Sequence, residues 1–227
     1  MIRRRLRLFA VTATAVAGLT VVGYATDGVI EISQARALAG NVTPGDTPGF
    51  PVTISQSGSY RLTSNLFASS AADAIGVGTS FVTIDLNGFE IKGANGPCVI
   101  CGTNYEVVIL NGLLLVESGR GIGVGDNSRV EGVHVSHKDG AFGIVNFGIE
   151  VGRRSIVTRC IVDNFSAGIS AGSGSVVSFN TVGDSFRGLL FSAGPVGFVG
   201  NNLQNNTTNV TGGISLGPNI CGDAVCP

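Results

Sequence analysis

Two short apolar motifs recur along the chain and keep step with each other. The first is a glycine followed by a branched residue, at Gly121-Ile122, Gly148-Ile149, Gly168-Ile169, Gly188-Leu189 and Gly213-Ile214. Ile75 and Val99 extend the series upstream, and the spacings along its apolar members are 24, 23, 27, 20, 20 and 25. The second reads apolar-x-x-small-x-apolar, at Val130-Val133-Val135, Val157-Cys160-Val162, Val177-Asn180-Val182 and Phe198-Asn201-Leu203. Asn87-Gly88 and Asn111-Gly112, one period apart, mark equivalent turns after the segments Val82 to Leu86 and Val107 to Leu110. A period of this length, built of short alternating segments and glycine-rich corners, is the signature of a coiled chain of parallel strands with one coil per repeat. No coil buries its own apolar face, so coils must stack at the strand spacing of ~4.8 Å, like residue over like. The sequence therefore predicts an all-β, single-stranded, right-handed parallel β-helix (solenoid) of about seven turns. Leucine-rich repeats share the period, but their Leu-x-x-Leu-x-Leu signature and helical half-repeat are absent.

Stacking assigns individual residues. Cys160 falls in an inward column with Val133, Asn180 and Asn201, which makes it a buried core thiol, and Asn180 and Asn201 one turn apart are placed to share an amide ladder. Period-2 alternation, with Val108 and Leu110 taken as inward, turns Val107 and Ile109 outward, an apolar pair to be covered by the N-terminal segment or by a partner chain. An open solenoid end exposes unpaired backbone, so both ends need covers. Ser33 is a candidate N-cap for a short capping helix in which Ala35, Leu38 and Ala39 share a face and Gly40 is the stop. The Pro- and Gly-rich stretch from Thr43 to Pro51 leads on to strands Val52 to Ser55 and Tyr60 to Leu66.

The N-terminus carries a different signal. Arg3, Arg4, Arg5 and Arg7 precede an apolar run from Leu8 to Ala25, which reads as an export signal with Gly23-Tyr24-Ala25 as a cleavage pattern and Thr26 as the first mature residue. The competing reading is an uncleaved anchor, because the run is near the minimum length for a span. The expected organisation is a signal peptide over 1–25, a cap and linker over 26–50 and a β-helix domain over 51–227. Glycine at 35 of 227 residues and a charged share of 13% suit turn-rich, well-buried β structure. A mean hydropathy of +0.39 suggests a membrane protein at first sight, but beyond the N-terminus no run reaches the ~18 apolar residues that a span requires. A formal net charge of −1 gives no global pull toward nucleic acid or anionic lipid, so neither is expected as a partner.

Five cysteines fall into two close pairs, Cys98 with Cys101 and Cys221 with Cys226, plus the single Cys160. Export to an oxidising compartment favours two short disulfides. A redox role for Cys98-Val99-Ile100-Cys101 lacks the helix N-terminus that lowers a thiol pKa. The two pairs lie too many turns apart to hold one zinc ion together, and no metal site is expected.

Several pieces of the chain resemble a large group of uncharacterised bacterial secreted proteins known as right-handed parallel β-helix repeat proteins. The matching pieces are Glu31-Ile32-Ser33-Gln34-Ala35, Gly49-Phe50-Pro51-Val52-Thr53-Ile54 with Gly58-Ser59-Tyr60-Arg61-Leu62, Val82-Thr83-Ile84-Asp85-Leu86-Asn87-Gly88-Phe89, and Cys226-Pro227. The resemblance implies the fold, export and a bacterial source, and it brings no settled catalytic residues. The wider pectate-lyase-like superfold includes pectate lyases and polygalacturonases, but activity does not follow from a shared scaffold.

Candidate chemistry sits where the coils differ in length. From the last strand anchor to the next glycine-branched anchor the counts are 14 (Val135 to Ile149), 7 (Val162 to Ile169), 7 (Val182 to Leu189) and 11 (Leu203 to Ile214). Extra residues in a solenoid project from one edge, often the binding edge. Those insertions hold Ser136-His137-Lys138-Asp139 with Phe142, and Asn205-Asn206-Thr207-Thr208-Asn209, so His137, Lys138, Phe142, Asn205 and Asn209 are candidate binding residues. A polysaccharide lyase needs a base and carboxylates, often with Ca2+; the nearest set is Arg159 with Asp139, Asp163 and Asp184. A glycoside hydrolase needs two carboxyls about 5 to 9 Å apart, which Asp163 and Asp184 on neighbouring turns would supply. Against both stands the common role of acids at β-helix corners, bonding turn amides. His134 and His137 have no evident partner and read as solvated. With no Trp and three Tyr, a broad aromatic glycan platform is not advertised, and Asn41-Val42-Thr43 and Asn209-Val210-Thr211 are glycan acceptors only in a eukaryotic secretory pathway. The sequence reading is a secreted or periplasmic protein, non-catalytic and structural or interacting, without cofactor. The alternatives are a polysaccharide-active enzyme and a glycan-binding module, so the expected partners are a polysaccharide or another surface protein.

Overall fold

The computed structural model describes residues 28–68, 72–93, 98–139 and 146–226. The expected export segment and cleavage site, together with Phe142 and Pro227, lie outside the described residues. The rest of the chain winds into a parallel β-solenoid of about seven turns.

Each coil lays down strands on three faces. The third face is an eight-stranded parallel sheet running from Val52–Ile54 through Cys98–Cys101, Arg120–Val124 and Phe147–Val151 to Thr208–Thr211. The first and second faces form one 16-stranded sheet, creased between them. The crease is a column of left-handed residues: Asn111, Gly132, Arg159, Phe179 and Gly200. In the long strands Val107–Val116 and Arg129–His137 the chain passes over the crease without interruption. Asn111 is thus a bend inside a strand rather than the turn after one.

One inward column defines each face. On the first face Tyr60, Ile84, Ile109, Val130, Val157, Val177 and Phe198 lie in register. On the second, Leu66, Ile91, Leu114, Val135, Val162, Val182 and Leu203 do so. On the third the column is Val52, Ile75, Ile100, Ile122, Ile149, Ile169, Leu189 and Val210. The second sequence motif thus stacks as predicted, while the first needs two corrections. Ile100 replaces Val99 as the third-face anchor, and Val210 replaces Ile214, which pairs with Gly197 on the first face. The expected parity of Val107 to Leu110 is also inverted. Val107 and Ile109 are fully buried and Val108 and Leu110 face out, because register with Val82 and Ile84 sets the pleat.

The glycine that opens the first motif is required by space. A Cβ on Gly148 would stand 2.3 Å from Val162 Cγ1, and one on Gly168 would stand 2.3 Å from Val182 Cγ1 and 2.8 Å from the Gly188 carbonyl oxygen. The two sequence motifs keep step because they touch across the interior.

Polar residues inside the solenoid form ladders. Asn180 accepts from the Cys160 amide at 2.9 Å and donates through Nδ2 to Asn201 Oδ1 at 3.0 Å, and Asn201 does the same to Asn219. The predicted pair is therefore part of a stack of three, with Cys160 buried in its column. A hydroxyl ladder runs beside it, in which the Ser128 amide donates to Ser155 Oγ and the Ser155 amide to Ser175 Oγ. Each ladder satisfies groups whose burial unpaired costs about 1–3 kcal/mol.

At the N-terminal end a described element covers the first strand of each face. Strand Val29–Ile32 covers the first face. On the second, Gln34 at the start of helix Gln34–Ala39 meets both the amide (2.8 Å) and carbonyl (3.4 Å) of Phe67. On the third, Thr53 donates to Asp46 Oδ1 at 2.7 Å and accepts from Thr43 Oγ1 at 2.6 Å. Ser33 caps the helix as predicted, with Gly40 at its C-terminus, but the buried helical residue is Ala37, not Ala35, Leu38 or Ala39. A helix of under two turns seats only one residue on a core this narrow. Gly168→Ala is expected to lower unfolding free energy by about 1–3 kcal/mol through overpacking against Val182, measured as a fall in urea midpoint at unchanged slope.

Candidate functional site

The outer wall of the first and second faces carries most of the predicted chemistry. Arg129 and Arg159, from adjacent coils, both clasp the Glu131 carboxylate. Burial pushes that carboxyl up, but the two guanidiniums outweigh it and hold it below its ordinary value. Arg159 is thus engaged by a group outside the predicted acidic set.

Beyond the crease, Ser136, Asp163 and Gly183 occupy one outward column. His134 Nε2 lies 3.1 Å from Asp163 Oδ1 and 3.0 Å from Ser136 Oγ, and the hydroxyl reaches the same carboxylate oxygen at 3.3 Å. His134 is therefore not a free solvated side chain; register brings it beside an acid on the next coil, a proximity no local spacing reveals. The three side chains resemble a catalytic triad in composition only. A relay needs the nucleophile and the acid on opposite ring nitrogens, and here both meet Nε2.

Asp184 stands one residue beyond Gly183, in a left-handed corner with φ 49°. Position for position, the neighbour of Asp163 on the next coil is Gly183 rather than a second carboxylate. Asp139 donates its amide to His137 Nδ1 at 3.3 Å. Lys138 lies 3.7 Å from Glu117, which Lys92 holds at 3.1 Å and keeps below its usual carboxylate range. His137 is buried, edge-on to Phe165 with ring centroids 5.6 Å apart, which corrects its expected solvation. Phe165 in turn donates its amide to Ser185 Oγ, so the His137 ring tops a buried stack.

Of the two predicted insertions, the structure keeps one. Val210 is the true third-face anchor, so the corner from Leu203 to Val210 is as short as those in the two coils before it. Asn205, with φ 54°, occupies the corner position of Asn164 and Asp184. Asn209 Oδ1 accepts from Asn206 Nδ2 at 3.2 Å, and the same amide donates to Val182 O at 2.9 Å, so both Asn206 and Asn209 close the corner. The long step from Val135 to Ile149 stands, and part of it lies outside the described residues.

The third face holds a shallow cleft of about 390 Å³. Its floor is glycine backbone at Gly102, Gly123, Gly125 and Gly152, and its walls include Thr103, Cys101, Arg120 and Glu150. The predicted Cys98–Cys101 disulfide is formed beside it, as is Cys221–Cys226 at the C-terminal end. Arg120 pairs with Glu150 at 3.1 Å and lies 5.5 Å over the Phe147 ring. Two residues after Thr103, Tyr105 meets Phe81 edge-to-face at 5.5 Å, both rings largely exposed. Composition concealed this pair, because it takes an offset of a whole coil and a corner to bring two single aromatics together. Among the described residues no three His, Cys, Asp or Glu side chains cluster as metal ligands, and no helix is long and apolar enough to cross a membrane.

Comparison with protein-family models, with curated proteins and with solved structures finds no match for this chain. What the structure defines is a class: a disulfide-stapled parallel β-solenoid with a shallow cleft on its third face.

Burial lowers the His137 pKa from its ordinary 6.5, with the nearby Asp139 charge opposing. The unfolded chain then binds the extra proton first, so the contribution to stability is whole above about pH 6.5 and is lost as pH falls through the depressed folded value. Urea midpoints between pH 7.5 and 5 are expected to fall more for the parent protein than for His137→Phe.

Proposed function

We propose that the protein is an exported, non-catalytic β-solenoid that serves as a structural or interaction element outside the cytoplasm, in the manner of the bacterial secreted β-helix repeat proteins that its sequence resembles. One observation carries the non-catalytic reading: the groups that acid–base chemistry would need are spent on one another in separate places. Arg159 is clasped to Glu131, Asp163 and Ser136 share one nitrogen of His134, and the position facing Asp163 on the next coil is Gly183. Two short disulfides and the arginine-led apolar N-terminus support an oxidising destination. Incubation of the protein with acidic and neutral polysaccharides, with and without Ca2+, is expected to release neither unsaturated nor reducing ends. Release that disappears in Asp163→Asn, with the fold intact, would establish the enzyme instead.

The third-face cleft favours a second, compatible reading, a saccharide-binding surface. An Arg–Glu pair offers donor and acceptor side by side at no net charge, which suits neutral hydroxyls over uronates, and the glycine floor lets a flat ring approach the backbone. Tyr105, two residues along the chain from Thr103 of the lining, and its partner Phe81 offer an exposed aromatic pair. In calorimetric titration with neutral oligosaccharides, Arg120→Ala and Tyr105→Ala are each expected to weaken binding by roughly 5- to 30-fold, about 1–2 kcal/mol. Equal affinity in parent and variants would remove the cleft from consideration.

A further inference from the structure

The two sulfurs of the Cys98–Cys101 bridge stand in different surroundings. Cys98 is buried at 3% exposure, whereas Cys101 is half-buried and lines the third-face cleft. In the outward column Cys101 has Gly76 on the coil before it and Gly123 on the coil after it, so no side chain screens its sulfur along the stack. A Cβ on Gly123 would stand 3.2 Å from Cys101 Sγ and 3.8 Å from Cys98 Sγ. Glu150 follows Gly123 in that column, and Arg120, in register with Cys98, reaches across to it at 3.1 Å. The charged pair thus frames bare backbone beside the bridge.

The buried sulfur is provided for as a thiol. Cys98 Sγ lies 3.2 Å from the Ile100 carbonyl oxygen and 3.9 Å from that of Gly121, acceptors that suit an S–H and repel a thiolate. On the preceding coil the Asp73 carboxyl accepts from the Cys98 amide, and its Oδ1 is buried with no hydrogen-bond partner among the described residues. Burial pushes that carboxyl up, with the Cys98 amide opposing. Held by this amide, the carboxyl lies no more than about 7 Å from Cys98 Sγ, which allows proton transfer through one water.

We infer that the third-face bridge is an exchange site for a small zwitterionic thiol, which attacks Cys101 and expels Cys98. The incoming thiolate sulfur bonds to Cys101 Sγ as the bond from Cys101 to Cys98 breaks. The electron pair leaves on Cys98 Sγ, which takes the proton of the Asp73 carboxyl, and Asp73 regains one from water. The incoming sulfur is oxidised to the disulfide level and Cys98 is reduced to a thiol; attack of Cys98 on Cys101 reverses both changes. Neither cysteine needs a helix N-terminus, because the nucleophile comes from outside. The ligand class follows from the cleft. Its volume of about 390 Å³ is that of a small-molecule site, and Arg120 and Glu150 offer partners for one carboxylate and one ammonium group. The exchange shares this cleft with the saccharide reading and does not rest on it.

Reduced glutathione added to the full chain near neutral pH, followed by alkylation and mass mapping, tests this. Glutathione is expected on Cys101, with Cys98 alkylated. Glutathione on Cys98, or a bridge left intact under large excess, overturns the inference. Gly123→Val, which covers the sulfur, is expected to slow exchange about tenfold or more. Thr181→Val, on the outer wall of the second face, is expected to leave the rate unchanged. Should circular dichroism show that Gly123→Val does not fold, Gly123→Ser carries this arm, and a rate indifferent to the Gly123 variant overturns the site. Arg120→Ala is expected to slow glutathione about threefold, the worth of an exposed charge pair, and to leave the neutral thiol 2-mercaptoethanol unaffected. Equal effects on the two thiols overturn the ligand class. Asp73→Asn is expected to slow opening and reclosure by one common factor, about tenfold or more, with their ratio unchanged. A changed ratio, as a loosened bridge would give, or an unslowed rate overturns the proton role. All rates are read without saccharide, so failure here is separate from failure of the oligosaccharide titration.

Discussion

The vertical contact between one coil and the next, at a strand spacing of ~4.8 Å, constrains everything else in this protein. Every column must hold residues that tolerate a copy or near-copy of themselves directly above. Branched aliphatics meet this on all three inward columns, and asparagine and serine meet it because each side chain accepts a backbone amide from the coil before it, with asparagine also donating to the next asparagine. Where the interior is narrowest the only solution is no side chain at all. Gly148 and Gly168 lie against Val162 and Val182 with no room for a Cβ. A solenoid of this kind draws its stability from nearest-neighbour coils, so each local match counts once per coil and no distant contact compensates for a bad one.

The same constraint governs chemistry on the outside. Outward residues on adjacent coils are brought within hydrogen-bonding reach whether or not the sequence places them together, which is how Glu131 gathers two arginines and His134 finds Asp163. Such proximity is cheap in a stacked sheet and does not by itself make a catalytic site. The requirement for a relay is directional, and the shared nitrogen of His134 fails it. The third face differs, because glycine at successive coils hollows the surface and leaves Arg120 and Glu150 as a neutral polar pair over bare backbone.

Closure of the two ends completes the physical picture. The N-terminal cap replaces a missing strand by side chains of the right reach: an amide mimics a peptide group against Phe67, and a carboxylate and a hydroxyl do so against Thr53. The C-terminal coil instead uses a hairpin and a disulfide, both on the second face.

The sequence by itself determined the architecture, the coil length, the inward identity of the second-motif residues, both disulfides and the burial of Cys160, since each follows from periodicity or from near neighbours in the chain. Tertiary structure decided whatever depends on register between coils. It turned Val107 and Ile109 inward because Val82 and Ile84 fix the pleat, moved the final anchor from Ile214 to Val210 and so removed an insertion, and set Gly183 rather than Asp184 beside Asp163. A single-residue shift is invisible in a repeat whose period drifts from coil to coil, yet it reverses every side chain in a strand. Partnerships such as His134 with Asp163, Phe81 with Tyr105 and Gln34 with Phe67 join side chains a full coil or more apart along the chain, and they become neighbours only once the coils have stacked.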